Sequence, residues 1–195
     1  MRRLVIVLAV LAVGCGSDER QDAREARGEF KVEIVNASFP ARQHIAEDVQ
    51  LKLRVRNGDD RTLRNVAVTV ETEANGDNAP TAFGQRTSGG GLADSGRPVW
   101  VLAEGPKGGD VVYVNTWSAG TLRAGEEREL TWSLVPAKAG TYTIGYRVSP
   151  GLTGRARAAE GRTSGSFSVT IDDEPVPARV GDDGEVERGV EAGSS

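Results

Sequence analysis

Apolar and polar residues alternate with a period of two along much of the chain. Val49, Leu51, Leu53 and Val55 alternate with Gln50, Lys52, Arg54 and Arg56. The same rhythm recurs at Val66, Val68 and Val70, at Leu130, Trp132 and Leu134, and at Tyr142, Ile144, Tyr146 and Val148. It appears again at Phe167, Val169 and Ile171, and it starts early, at Phe30, Val32 and Ile34. Successive side chains of a strand point to opposite faces, so this alternation predicts strands with one face buried and one wet. Val99 to Leu102 and Val111 to Val114 are apolar on both parities, the pattern of central or covered strands. No stretch of 30–171 repeats apolar residues at helical spacing.

Asn57-Gly58, Ala124-Gly125-Glu126 and Ala139-Gly140-Thr141 punctuate these runs as turns. Short one-sided strands without helices predict an all-β fold, an Ig-like antiparallel two-sheet sandwich of about 7–9 strands.

Composition narrows the chemistry. Of 195 residues, 38% are apolar and 5% aromatic, with 25 glycines, which describes a modest core with many turns. Charges nearly balance, 24 basic against 28 acidic, so no global field attracts nucleic acid and no such partner is expected. A single Cys makes the sandwich disulfide-free, and a single His with a single Met leaves a copper site without ligands.

The first fifteen residues, MRRLVIVLAVLAVGC, place Arg2 and Arg3 before an apolar run from Leu4 to Val13. As a helix that run spans about 15 Å, half of the roughly 30 Å hydrocarbon core, the length of a secretory signal rather than a membrane anchor. Its ending, Ala12-Val13-Gly14-Cys15, resembles the lipobox of bacterial lipoprotein signal peptides. The resemblance implies cleavage after Gly14 and attachment of a diacylglycerol to Cys15; Ala12 departs from the family, which favours Leu there. The alternative is an ordinary secretory signal with a free Cys, although a lone thiol in an exported protein invites stray pairing. Two acyl chains hold stably where one is marginal.

The expected organisation is therefore a signal peptide over 1–14, then lipidated Cys15 and a flexible tether over 15–29. The Ig-like sandwich follows over 30–171, and an acidic disordered tail over 172–195. The tether has no apolar face to pack, and the tail carries eight acids against Arg179 and Arg188.

The segments VQLKLRVRNGDDRTLRNVAVTVE and LRAGEERELTWSLVPAKAGTYTIGYRV are similar to bacterial Ig-like modules of the CARDB type. The late pattern falls on Leu122, Gly125, Glu126, Pro136, Ala139, Gly140 and Tyr142. The resemblance covers about fifty residues, implies the sandwich with adhesion, spacer or stalk roles, and brings no catalytic residues. Residues 73–118 depart from it.

Candidate chemistry is sparse. His44 sits in the polar turn PARQHIAED, a poor basis for a nucleophilic triad. Asn57-Gly58-Asp59-Asp60 and Asn75-Gly76-Asp77-Asn78 offer oxygens for calcium but lack the EF-hand spacing, and Asn and Asp favour turns for backbone reasons. Gly89-Gly90-Gly91 and Gly105-Pro106-Lys107-Gly108-Gly109 lack the ending of a phosphate loop and read as flexible connectors. No carboxylate pair is singled out by spacing. Arg54, Arg56, Arg64, Arg147, Arg155, Arg157 and Arg162 are candidates for a patch facing anionic polymers or lipid head groups, or for a solvated strand face. Trp100 and Trp132 read as core, whereas Trp117 reads as either a lid on the core or an exposed anchor.

Residues 73–97 form a connection of about 25 residues without strand pattern, longer than compact domains ordinarily contain. With 103–110 and Trp117 they are the candidate partner surface, against the alternative of an insertion without a role. No catalytic residue, metal ligand or cofactor is assigned. The expectation is a lipid-anchored, non-catalytic binding or structural module on the extracytoplasmic face of a bacterial cell membrane. Its partner would be an envelope protein or polymer. The alternative is a small envelope enzyme or a glycan- or polymer-binding domain.

Overall fold

Alternation along Val49–Asn57 becomes alternating burial, with Val49, Leu51, Leu53 and Val55 inside and their neighbours facing water. A computed structural model describes residues 25–72, 83–85, 98–181, 183, 184 and 186–188. They contain fifteen strands and no helix. In chain order these are β1 Gly28–Phe30, β2 Val32–Ser38, β3 Arg42–His44, β4 Val49–Asn57 and β5 Ala67–Thr72. Next come β6 Phe83–Gln85, β7 Trp100–Lys107, β8 Asp110–Tyr113, β9 Thr116–Ser118 and β10 Glu127–Pro136. The last five are β11 Gly140–Ser149, β12 Ala156–Ala158, β13 Ser164–Asp172, β14 Ala178–Val180 and β15 Val186–Arg188.

Two sheets build the sandwich, in the orders β2-β4-β10-β7-β6 and β3-β13-β11-β5-β9-β8. The long strands pair antiparallel, as the alternation predicts. The short edge strands depart from that rule, since β6 pairs parallel with β7 and β3 parallel with β13. Their three-residue lengths were invisible to a pattern that needs several alternations. The β1–β12 pair is a separate parallel strap, and β14–β15 is a small hairpin within the acidic segment. A composition-based expectation of disorder did not foresee that hairpin.

Strand direction defines two ends of the sandwich. At the proximal end Val32 opposes Asn57, Arg56 opposes Glu127, and Ala67 opposes both Ser118 and Ser149. At the distal end Trp100 opposes Pro136, Gly140 opposes Ile171, and Asp172 opposes His44. Strands of nine or ten residues separate the two ends by about 30 Å.

Three indoles bridge the layers. Trp132 on β10 meets Trp117 on β9 in a T-shaped contact at 5.3 Å, and Trp100 on β7 meets Tyr142 on β11 at 5.9 Å. Trp100 donates its indole N–H to the Oε1 of Gln43 at 2.7 Å, and Gln43, fully buried on β3, donates to Pro40 O at 2.9 Å. Among the described residues the buried N–H groups of Trp117 and Trp132 have no partner. Each ring removes about 150–250 Å² from water, worth about 4–6 kcal/mol, against about 1–3 kcal/mol for an orphaned N–H. Ring burial wins.

The late turn noted above has a physical reason. Gly140 takes a positive φ of 138°, and the Tyr142 ring lies over it, where a Cβ would approach the nearest ring carbon to 3.1 Å. The Tyr142 hydroxyl then donates to Ala139 O at 2.8 Å, closing the corner.

Trp100→Phe and Trp132→Phe delete equivalent atoms, but only the first leaves the buried Gln43 carbonyl without its donor. Urea unfolding should show Trp100→Phe to be the costlier by about 1–3 kcal/mol. Equal losses would show that the Gln43 bond contributes nothing net.

Candidate interaction surfaces

The most exposed apolar run among the described residues is on β8. Val111 is 60% exposed, Tyr113 50% and Val114, in the following turn, 77%. The sequence pattern predicts a central or covered strand here, and that expectation is corrected. Among the described residues β8 is the outer strand of its sheet, paired on one side only, with β9. Double-parity hydrophobicity cannot separate a strand covered by its own chain from one left open. Trp117 is likewise decided, since at 4% exposure it lies in the core against Phe83 and Trp132 and is no exposed anchor.

Residues 103–110 are not a loose connection. Residues 103–107 belong to β7, and Gly108-Gly109 form a tight corner where the chain crosses from one sheet to the other. Gly108 has φ 90°, and a Cβ there would lie 2.3 Å from Glu129 O. A Cβ on Gly109 would lie 2.8 Å from Ser118 O. The flexible-connector reading of these glycines therefore fails, because the corner is packed against β10. It lines an open depression of about 520 Å³ together with Asp110, Ser118, Gly120 and Arg128.

Of residues 73–97, only 83–85 are described. Phe83 is buried in the core and β6 pairs with β7, so the middle of this connection is pinned to the sandwich. Asn75-Gly76-Asp77-Asn78, Gly89-Gly90-Gly91 and Cys15 lie outside the described residues.

The early Asn-Gly turn is a hydrogen-bonded knot. Buried Asn57 donates from Nδ2 to Arg61 O at 2.8 Å and Leu122 O at 3.0 Å, while its Oδ1 accepts from Asp59 N at 2.9 Å. Asp59 accepts from Lys31 N at 3.2 Å and from Arg61 N and Nε at 3.3 Å each. Desolvation pushes the Asp59 carboxyl up. The hydrogen bonds of Lys31 N–H, of the Asp60 and Arg61 side chains and of Arg61 N–H outweigh it and bring the carboxyl down to about 2. These oxygens serve the turn, and among the described residues no cluster of three or more His, Cys, Asp or Glu is placed to hold a metal.

His44 lies at the distal end with its Nδ1 3.1 Å from the carbonyl of Glu174, and its own N–H donates to Glu47 at 2.8 Å. It holds the chain leaving β13.

The arginine candidates divide. Arg54 pairs with Glu129 at 2.9 Å, Arg56 with Glu33, and Arg147 with Glu71 at 3.7 Å. These three neutralise strand faces. Arg64, Arg155, Arg157 and Arg162 have no ion-pair partner among the described residues. The structure also adds a contact that the sequence does not signal. The carboxylate of Glu25 accepts from Leu152 N, from Thr153 N at 3.0 Å and from Thr153 Oγ1 at 2.6 Å. This fastens the incoming chain to the proximal end.

No protein-family model matches the chain, and no curated protein matches it. Among solved structures, it is similar to a CARDB domain from Pyrococcus furiosus determined in solution. Identity is 19% over 75% of this chain and 100% of that one, with a TM-score of 0.45. The crystal structure of that domain in complex with di-metal ions is 17% identical over 76% and 100%, with a TM-score of 0.43. A cohesin module from a Clostridium perfringens family 33 glycoside hydrolase is 11% identical over 74% and 99%, with a TM-score of 0.42. Identities this low concern the fold alone.

The lowered Asp59 acid gives a signed pH dependence. Its contribution is present above the ordinary value of 3.8 and is lost as pH falls through about 2. Asp59→Asn should therefore lose less stability than the parent between about pH 4 and 2, read as thermal midpoints. Parallel acid curves would show that these hydrogen bonds do not favour the carboxylate.

Proposed function

We propose that the protein is a lipid-anchored, non-catalytic binding or structural module on the extracytoplasmic face of a bacterial cell membrane. Cys15 would carry the diacylglycerol, and the sandwich would present itself to an envelope protein or polymer. The observation that carries the binding role is the open β8 edge, where Val111, Tyr113 and Val114 face solvent. Apolar side chains on an unpaired edge are an aggregation hazard that natural proteins ordinarily blunt, so their retention favours a partner. An extended partner segment could add to such an edge through main-chain hydrogen bonds.

The competing enzyme reading needs a cleft with two facing carboxylates. Among the described depressions, the one lined by two, Glu33 and Glu160, measures about 220 Å³, and Glu33 is already paired with Arg56. The Nδ1 of His44 lies against the Glu174 carbonyl. These placements favour the binding reading.

Two measurements test the proposal. Cys15→Ser should shift the protein out of the membrane fraction or stall its processing, and should abolish incorporation of labelled palmitate. Unchanged fractionation with no lipid label on the parent would sink the anchor. Separately, Val111→Ser with Val114→Ser should leave unfolding unchanged while removing the envelope cross-links that the parent forms. Identical cross-links would rule out the β8 edge as the binding surface.

A further inference from the structure

We infer that the proximal end of the sandwich rests on the anionic lipid head groups of the membrane that holds it, through Arg27, Arg64, Arg155 and Arg157. This rests on the anchor reading above and adds an orientation and a ligand class to it.

Three segments bring these arginines to one end. Arg27 precedes β1, whose Gly28 N–H donates to Arg155 O at 3.2 Å, and β1 sets Glu29 opposite Arg157 on β12. Arg64 lines a small depression shared with Glu25, Ala26 and Ala156. All four arginines are exposed, and none has an ion-pair partner among the described residues, although six other basic side chains do. The local acids weaken the patch only in part. The Glu25 carboxylate is taken up by the 152–153 backbone and the Thr153 hydroxyl, and Asp59 and Asp60 face Arg61, leaving Glu29, Glu127 and Glu160 as flanking charges.

The Glu25 contact also fixes how far this end can stand from the anchor. Ten residue steps separate Cys15 from Glu25. Even fully extended they reach at most about 33–36 Å. A charge must come within a Debye length, about 8–10 Å, to feel a charged surface, and a reach limited to a few tens of ångströms leaves that range open to the patch. The far end has the opposite character. β13 runs away from the patch, so Asp172, Asp173 and Glu174 leave the sandwich at the distal end. Repulsion of those acids and attraction of these arginines turn the molecule the same way.

The test uses the full chain isolated from bacterial membranes, whose intact mass first reports whether Cys15 carries lipid. The protein is reconstituted into vesicles of phosphatidylcholine alone or with about 30% phosphatidylglycerol, and each arginine's reactivity toward phenylglyoxal is read by peptide mass. Labelling of Arg27, Arg64, Arg155 and Arg157 should fall roughly fivefold with the anionic lipid and recover in about 0.5 M salt. Labelling of Arg42, at the distal end, should stay unchanged. Equal labelling on both vesicles, or equal protection of Arg42, overturns the orientation. If soluble polyphosphate protects the same four arginines on neutral vesicles as strongly as the anionic lipid does, the patch is a polymer site and the lipid assignment falls. A chain without lipid at Cys15 refutes the anchor, while the same footprint still decides the patch.

Discussion

Three tryptophans hold one sheet against the other. Aromatic residues are scarce, yet Trp100, Trp117 and Trp132 all lie between the layers, with Phe39, Phe83 and Tyr142 against them. Each sheet has a single apolar face, and a few large rings remove enough surface from water to hold the layers together. Among the described residues two of the three indole N–H groups go unpaired to achieve this. The third is satisfied by Gln43, which reaches across from the opposite sheet and so ties a polar bond to the apolar contact.

Buried amides finish what the rings begin. Gln43 closes the distal end and Asn57 the proximal one, each with its polar atoms met by backbone or indole partners. Between them the Gly108-Gly109 corner lets β7 of one sheet pass directly into β8 of the other. That crossing leaves β8 at the margin, paired on one side among the described residues. The open apolar edge is thus a consequence of where the chain can switch layers without a side chain in the way.

Direction follows from the same topology. The chain is fastened by Glu25 at the proximal end and leaves β13 at the distal end, where His44 holds it. The chain entering the sandwich and the acidic segment leaving it therefore belong to opposite poles.

The long strands were legible in the sequence because burial on one face writes a period of two, as Val49 to Val55 and Leu130 to Leu134 show. Trp100 and Trp132 were legible as core, and so was the turn at Asn57-Gly58, whose chemistry is local. Short parallel edges such as β3 and β6 were not, since three residues hold too little alternation. Val111 to Val114 carried the pattern of a central or covered strand, but which strand ends a sheet is set by pairings between distant segments. The latch of Glu25 on residues 152 and 153 joins positions 127 apart and leaves no mark in either segment. Nor could spacing divide the arginines into those paired across strands and those left facing outward. The class of fold and the core residues of the long strands could be read from the chain alone, because these depend on local order and on what must leave water. Edges, poles and counter-ions were decided by the tertiary structure, because each depends on which distant residue comes alongside.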